Sequence, residues 1–164
     1  MKLIVYLGIV FLSLGCSAKN ETFVLPQNAK ELIAGESSKQ WKLAKKYNKG
    51  YRMSMEGCFL SYVITYQADG TFSDNNGKHK GCGKSLQGTW DIVTTDKGPF
   101  LKVESAQIPD LMGIDEDYKM MKILNLDDQG MQLQFVHKEY TESGKMVDYL
   151  VPVEVEVSDR AFQY

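Results

Sequence analysis

Short runs in which every second residue is apolar, divided by clusters of turn residues, constrain this chain more than any other feature. From Met131 to Lys138, the residues Met131, Leu133, Phe135 and His137 alternate with Gln132, Gln134, Val136 and Lys138. Further on, Val147, Tyr149, Val151, Val153, Val155 and Val157 share one parity, and Asp148, Glu154 and Glu156 take the other. A period of two is the signature of a strand with one buried face. Slipping the register by one residue would exchange the two faces, so the reading predicts both apolar sets on the core side.

The same reading extends along the chain. Trp41 and Leu43 alternate with Lys42 and Ala44 in a first strand opening near Ser38. Phe59 to Tyr66, rich in Tyr, Val and Ile, is predicted as the second strand and ends at Ala68-Asp69-Gly70, a hairpin signal. Thr71 to Ser73 starts the return strand. Leu86 to Thr94 follows, with Gly88, Trp90 and Ile92 on one face, then Phe100 to Glu104 after Lys97-Gly98-Pro99. Tyr118 to Leu126 and the two runs above complete eight strands. Before them, Asn28 is placed to cap a short helix from Ala29 to Ile33, with Gly35 as its stop. The fold class is therefore all-β, an antiparallel meander preceded by a short helix. Eight strands are the number that closes into a small barrel, filled or holding one small ligand. A two-sheet sandwich shares this patterning.

The first residues belong to another regime. Lys2 precedes a nearly unbroken apolar stretch from Leu3 to Leu14. Those 12 residues fall short of the roughly 20 needed to span a bilayer but suit the apolar region of a signal peptide. Ser13-Leu14-Gly15-Cys16 resembles the lipobox of Gram-negative lipoproteins, in which the cysteine thiol is acylated before cleavage. The expected division is a lipoprotein signal peptide over 1–15, a tether over 16–27 and a globular domain over 28–164. Cys16 is then the lipidation site, and the membrane is a partner through that anchor. Ser17 in place of an aspartate favours the outer membrane, so the expected location is the cell envelope.

With Cys16 committed to lipid, Cys58 and Cys82 remain, an even number in an oxidising space. A disulfide between them is expected, with two free buried thiols as the alternative. The closed loop would contribute about 3 to 3.5 kcal/mol in the chain-entropy account.

The order of several motifs carries a wider resemblance. Ser38-Lys39-Gln40-Trp41-Lys42-Leu43 follows the short helix; then come Cys58, Tyr66-Gln67-Ala68-Asp69-Gly70-Thr71-Phe72, Cys82 and Gly88-Thr89-Trp90-Asp91-Ile92. This order, spread from Leu32 to Val153, resembles the lipocalin-like domain of small Gram-negative lipoproteins. The resemblance implies a meander barrel open at one end that binds a small hydrophobic molecule. It also implies that Trp41 plugs the closed end beneath the helix.

Chemistry beyond binding finds little support. A net charge of −2 gives no basic surface for nucleic acid. Two histidines, His79 and His137, are too few for a histidine-rich metal centre. His79 and Cys82 have a metal-like spacing, but a zinc site needs more ligands than lie nearby, so no metal is expected. Gly83-Lys84-Ser85 lacks the first glycine of a phosphate-binding loop, whose place is held by Lys78, and no helix pattern follows it. No other cofactor motif occurs. The acidic cluster Asp110, Asp115, Glu116 and Asp117 has no calcium-loop spacing and reads as solvated. The same segment carries Pro109, Leu111, Met112 and Ile114, and its length suits a cover over one barrel mouth. No nucleophile elbow exists and an enzyme is not expected. Candidate ligand contacts, chosen as inward-facing apolar or adaptable residues, are Trp90, Met120, Leu133, Phe135, His137 and Tyr149. A solid core serving as an envelope interaction module is the competing reading. Nothing in the sequence points to an oligomeric state.

Overall fold

The computed structural model describes residues 23–136 and 145–163. Cys16 and His137 lie outside the described residues. Helix α1 (Ala29–Ala34) leads into β1 (Ser38–Asn48), followed by β2 (Tyr51–Arg52), α2 (Cys58–Ser61), β3 (Val63–Gln67), β4 (Thr71–Asp74), β5 (Gln87–Thr95) and β6 (Gly98–Glu104). A short α3 (Ile108–Met112) then precedes β7 (Tyr118–Leu126), β8 (Met131–Val136) and β9 (Lys145–Pro152). Each of β3 to β9 pairs antiparallel with its chain neighbour, and β1 pairs with both β3 and β9. The sheet closes as an eight-stranded barrel, with the two-residue β2 added beside the end of β1. Closure excludes the sandwich and leaves no open sheet edge among these eight strands. Among the described residues no helix is long and apolar enough to cross a membrane.

One barrel end is shut by α1. Trp41 is fully buried beneath it and donates its indole N–H to the Ile33 carbonyl at 2.8 Å. Trp90 lies near the same end, donating to the Gln67 carbonyl at 3.0 Å and meeting Tyr66 edge-on. Gly35, at φ 65°, turns the chain out of α1 and donates to the Glu31 carbonyl. The helix is where the sequence placed it, although the Asn28 side chain makes no cap. Phe23 and Leu25, expected within the tether, pack against the core instead.

Three strand expectations need correction. The run Phe59 to Tyr66 is not all strand: Cys58–Ser61 is helical and β3 starts at Val63. Gly57 at φ 50° reverses the chain there, and the disulfide holds the helical turn across the barrel end. The last strand stops at Pro152, where the chain enters a turn: Val155 donates back to the Pro152 carbonyl, after a last bond from the Val153 N–H to the Gln40 carbonyl. Val153, Val155 and Val157 therefore lie outside it.

The third correction concerns the face of β9. Cross-strand partners share a face, and Leu133 is opposite Asp148 while Met131 is opposite Leu150. Since Met131, Leu133 and Phe135 are buried, the inward set of β9 is Met146, Asp148, Leu150 and Pro152. Tyr149 and Val151 face outward, where Tyr149 packs on Tyr47 with ring centroids 5.2 Å apart. Both faces of β9 are partly apolar, so its own alternation is not decisive.

Candidate functional site: a barrel cavity with two lysines

The end opposite α1 opens into a cavity of about 480 Å³. Its wall is largely apolar: Ile64, Phe72, Val103, Met121, Leu133 and Leu150 all contribute. Each comes from a different strand, and each is an inward member of its strand's alternation.

Two strand irregularities shape this interior. Between Leu43 and Lys45 a β-bulge shifts the register of β1 against β9. Before the shift Trp41 and Leu43 are the buried set; after it Ala44 and Lys46 are, and Lys45 faces out. The shift sets Lys46 directly opposite Asp148, and its ammonium meets the carboxylate at 2.5 Å inside the barrel. The Leu43 carbonyl at the bulge accepts a hydrogen bond from Arg160 Nε at 2.6 Å. In β7, Lys119 is the partner of the buried Val103, and Met121 that of the buried Leu101. Lys119 and Met121 therefore face inward. Met120, expected inside, is opposite Lys102 and lies on the outer face.

The polar groups of the cavity are few. The Lys119 ammonium is 3.7 Å from the Phe135 ring centroid, and the Lys46 ammonium is 5.1 Å from the same ring. Burial in this apolar setting pulls Lys119 down from 10.5 to about 8, with the Lys46 charge adding to the fall and Asp148 opposing it. Burial likewise raises the phenols of Tyr62 and Tyr66 well above the usual tyrosine range, with the Asp148 charge contributing.

The mouth is built by loops tied to one another. Cys58 and Cys82 form a disulfide, which joins α2 to the segment before β5, and both residues border the cavity. The Asn75 side chain accepts from the Val63 N–H at 2.8 Å, donates to the Ser61 carbonyl at 2.8 Å and meets His79 Nε2 at 3.1 Å. His79 is thus engaged in loop architecture. Burial raises the Asp74 carboxyl, while the N–H groups of Asn76 and Leu86 oppose that shift by donating to it. Gln107 fastens the α3 segment by accepting from the Gln87 N–H and donating to the Ser85 carbonyl. Ile108 is fully buried and Met112 lines the cavity, so this segment borders the mouth.

Of the residues selected from sequence, Leu133 and Phe135 line the cavity. Trp90 is inside the barrel but packs at the closed end. Met120 and Tyr149 face outward, and His137 falls outside the described residues. Sequence reasoning missed Lys46, Lys119 and Asp148, because a charged residue in an alternating strand signals the solvent face. The available clue was the doubled apolar character of β9, which leaves its polarity undecided.

No family model and no curated protein matches the chain. Among solved structures it is similar to a lipocalin-like protein from Bacteroides uniformis, at 14% identity and a TM-score of 0.48, over 73% of this chain and 97% of that one. It is also similar to an uncharacterized protein from Bacteroides eggerthii, at 15% identity and a TM-score of 0.45, over 70% of this chain and 97% of the other. The closed eight-stranded barrel itself stands on the strand pairing described above.

Proposed function

We propose that this protein is a non-enzymatic, lipocalin-like lipoprotein of the cell envelope that binds a small hydrophobic molecule in its barrel. The observation that carries the reading is the cavity of about 480 Å³ with its predominantly apolar wall, a volume within the range of ligand sites, about 300 to 1,000 Å³. Cys16, acylated on its thiol before residues 1–15 are cleaved, would hold the barrel at the outer membrane, and two or more acyl chains are needed for stable anchoring. The Cys58–Cys82 disulfide suits an oxidising compartment of this kind.

Binding is tested with Nile red, a neutral apolar fluorophore, on the full chain carrying Cys16→Ser, from which bound lipid has been extracted. A dissociation constant of about 1 μM, roughly −8 kcal/mol, is expected. Leu133→Trp, which fills the cavity, should abolish the signal, and Tyr149→Ala, on the outer face, should leave it unchanged. No binding by the wild-type barrel would remove the carrier reading in favour of an envelope interaction module. The anchor is tested by fractionation: the native chain should sediment with membranes, and Cys16→Ser should release it.

A further inference from the structure

We propose that the Lys119 ammonium, with Lys46 beside it, receives the single anionic head of a carboxylate-bearing amphiphile whose chain lies along the apolar wall of the barrel cavity. This inference rests on the cavity-binding reading above and specifies its ligand class.

Among the described residues the cavity lining holds an unbalanced charge. Lys46 and Lys119 both face it, and Asp148 is the one carboxylate among the described lining residues. Asp148 is committed to Lys46 at 2.5 Å. Among the described residues the Lys119 ammonium has no hydrogen bond and no ion pair; its contact is the face of Phe135 at 3.7 Å. A ring face offsets only part of the cost of taking an ammonium out of water. A buried charge is retained at low cost only when paired and hydrogen-bonded. The missing partner is therefore an anion.

The surroundings narrow the choice of anion. Ile64, Phe72, Val103, Met121 and Leu150 offer apolar surface and no donors, which suits a hydrocarbon chain attached to the head. Among the described residues the excess is one positive charge, which a carboxylate neutralises, whereas a phosphate monoester would bring nearly two negative charges. Tyr62 and Tyr66 also border the cavity. Both stay protonated and can donate to the head.

The test is displacement of Nile red from the lipid-extracted Cys16→Ser chain at pH 7 by dodecanoate and by dodecan-1-ol, which share a chain and differ in the head. Dodecanoate should compete at a concentration about tenfold lower than the alcohol, as expected for a charge-assisted contact. Lys119→Met should erase that advantage while leaving the alcohol's affinity within about twofold, and Lys119→Arg should keep it. Lys119→Gln, neutral and polar, should match methionine and guards against an effect of packing alone. Equal competition by acid and alcohol in the wild type, or an acid advantage that survives in Lys119→Met and Lys119→Gln, overturns the head-group site while leaving cavity binding intact. Failure of Nile red to bind at all defeats the underlying reading and this one together.

Discussion

Replacing Lys119 by methionine should make the lipid-free protein more stable. The folded chain releases the Lys119 proton near pH 8, whereas the unfolded chain holds it to about 10.5, because burial penalises the ammonium. That gap, at 1.36 kcal/mol for each tenfold in the equilibrium, corresponds to roughly 3 kcal/mol against folding at neutral pH. The side chain keeps partial solvent contact, which lowers the expected gain from Lys119→Met to about 1 to 3 kcal/mol. Methionine retains a flexible apolar stem of similar length against Phe135 and Val103, so little packing is lost. Between pH 8 and 10.5 the unfolded state binds the extra proton, and wild-type stability should rise with pH relative to the variant. Above about 10.5 neither state is protonated at this site, and the two proteins should converge. Paired urea denaturation curves at pH 7 and pH 10.5 give the comparison, in which the raised phenols of Tyr62 and Tyr66 titrate alike in both chains and cancel. A variant less stable than wild type at pH 7, or a difference that does not shrink by pH 10.5, would refute the claim that an uncompensated buried charge sits here.

Other positions give independent checks. A Cβ added at Gly88 would lie 1.9 Å from the Glu104 carbonyl oxygen, where β5 crosses closest to the end of β6; Gly88→Ala should cost about 1 to 3 kcal/mol in denaturant unfolding. Opening the Cys58–Cys82 bridge with Cys58→Ser and Cys82→Ser together should lower stability by about 3 kcal/mol. The same pair of changes should speed hydrogen exchange in α2 and in the segment that follows β4 more than in β8. Arg160→Ala leaves the Leu43 bulge carbonyl without its donor and removes a contact to the Phe59 carbonyl. A loss of about 1 to 2 kcal/mol is expected, with faster exchange at the Met55 amide, which bonds to Phe162 in the same tail.

Much of the architecture was legible from residue order because it depends on local rules. Turn residues at Asp69-Gly70 and at Asp127 to Gly130 mark strand ends wherever they occur, and alternation in Met131 to Phe135 identifies a half-buried strand without reference to its partners. The pairing of Cys58 with Cys82 followed from cysteine number and the compartment expected from the first sixteen residues. What the tertiary structure alone decided is which residues face the cavity. A strand's inward face is set by its register against neighbours, and a single bulge reverses it: the shift between Leu43 and Lys45 turns Lys46 inward in place of Lys45. The pairing of Leu133 with Asp148 overrides the apolar run Val147, Tyr149 and Val151, sending those residues outside. Lys119 faces inward because Val103 does. Barrel closure makes each strand's register depend on all the others, and a buried charge is tolerated only through partners brought from elsewhere in the chain. Alternation within one strand contains neither kind of information, so the sequence could announce a barrel with an apolar interior but not the charged groups inside it.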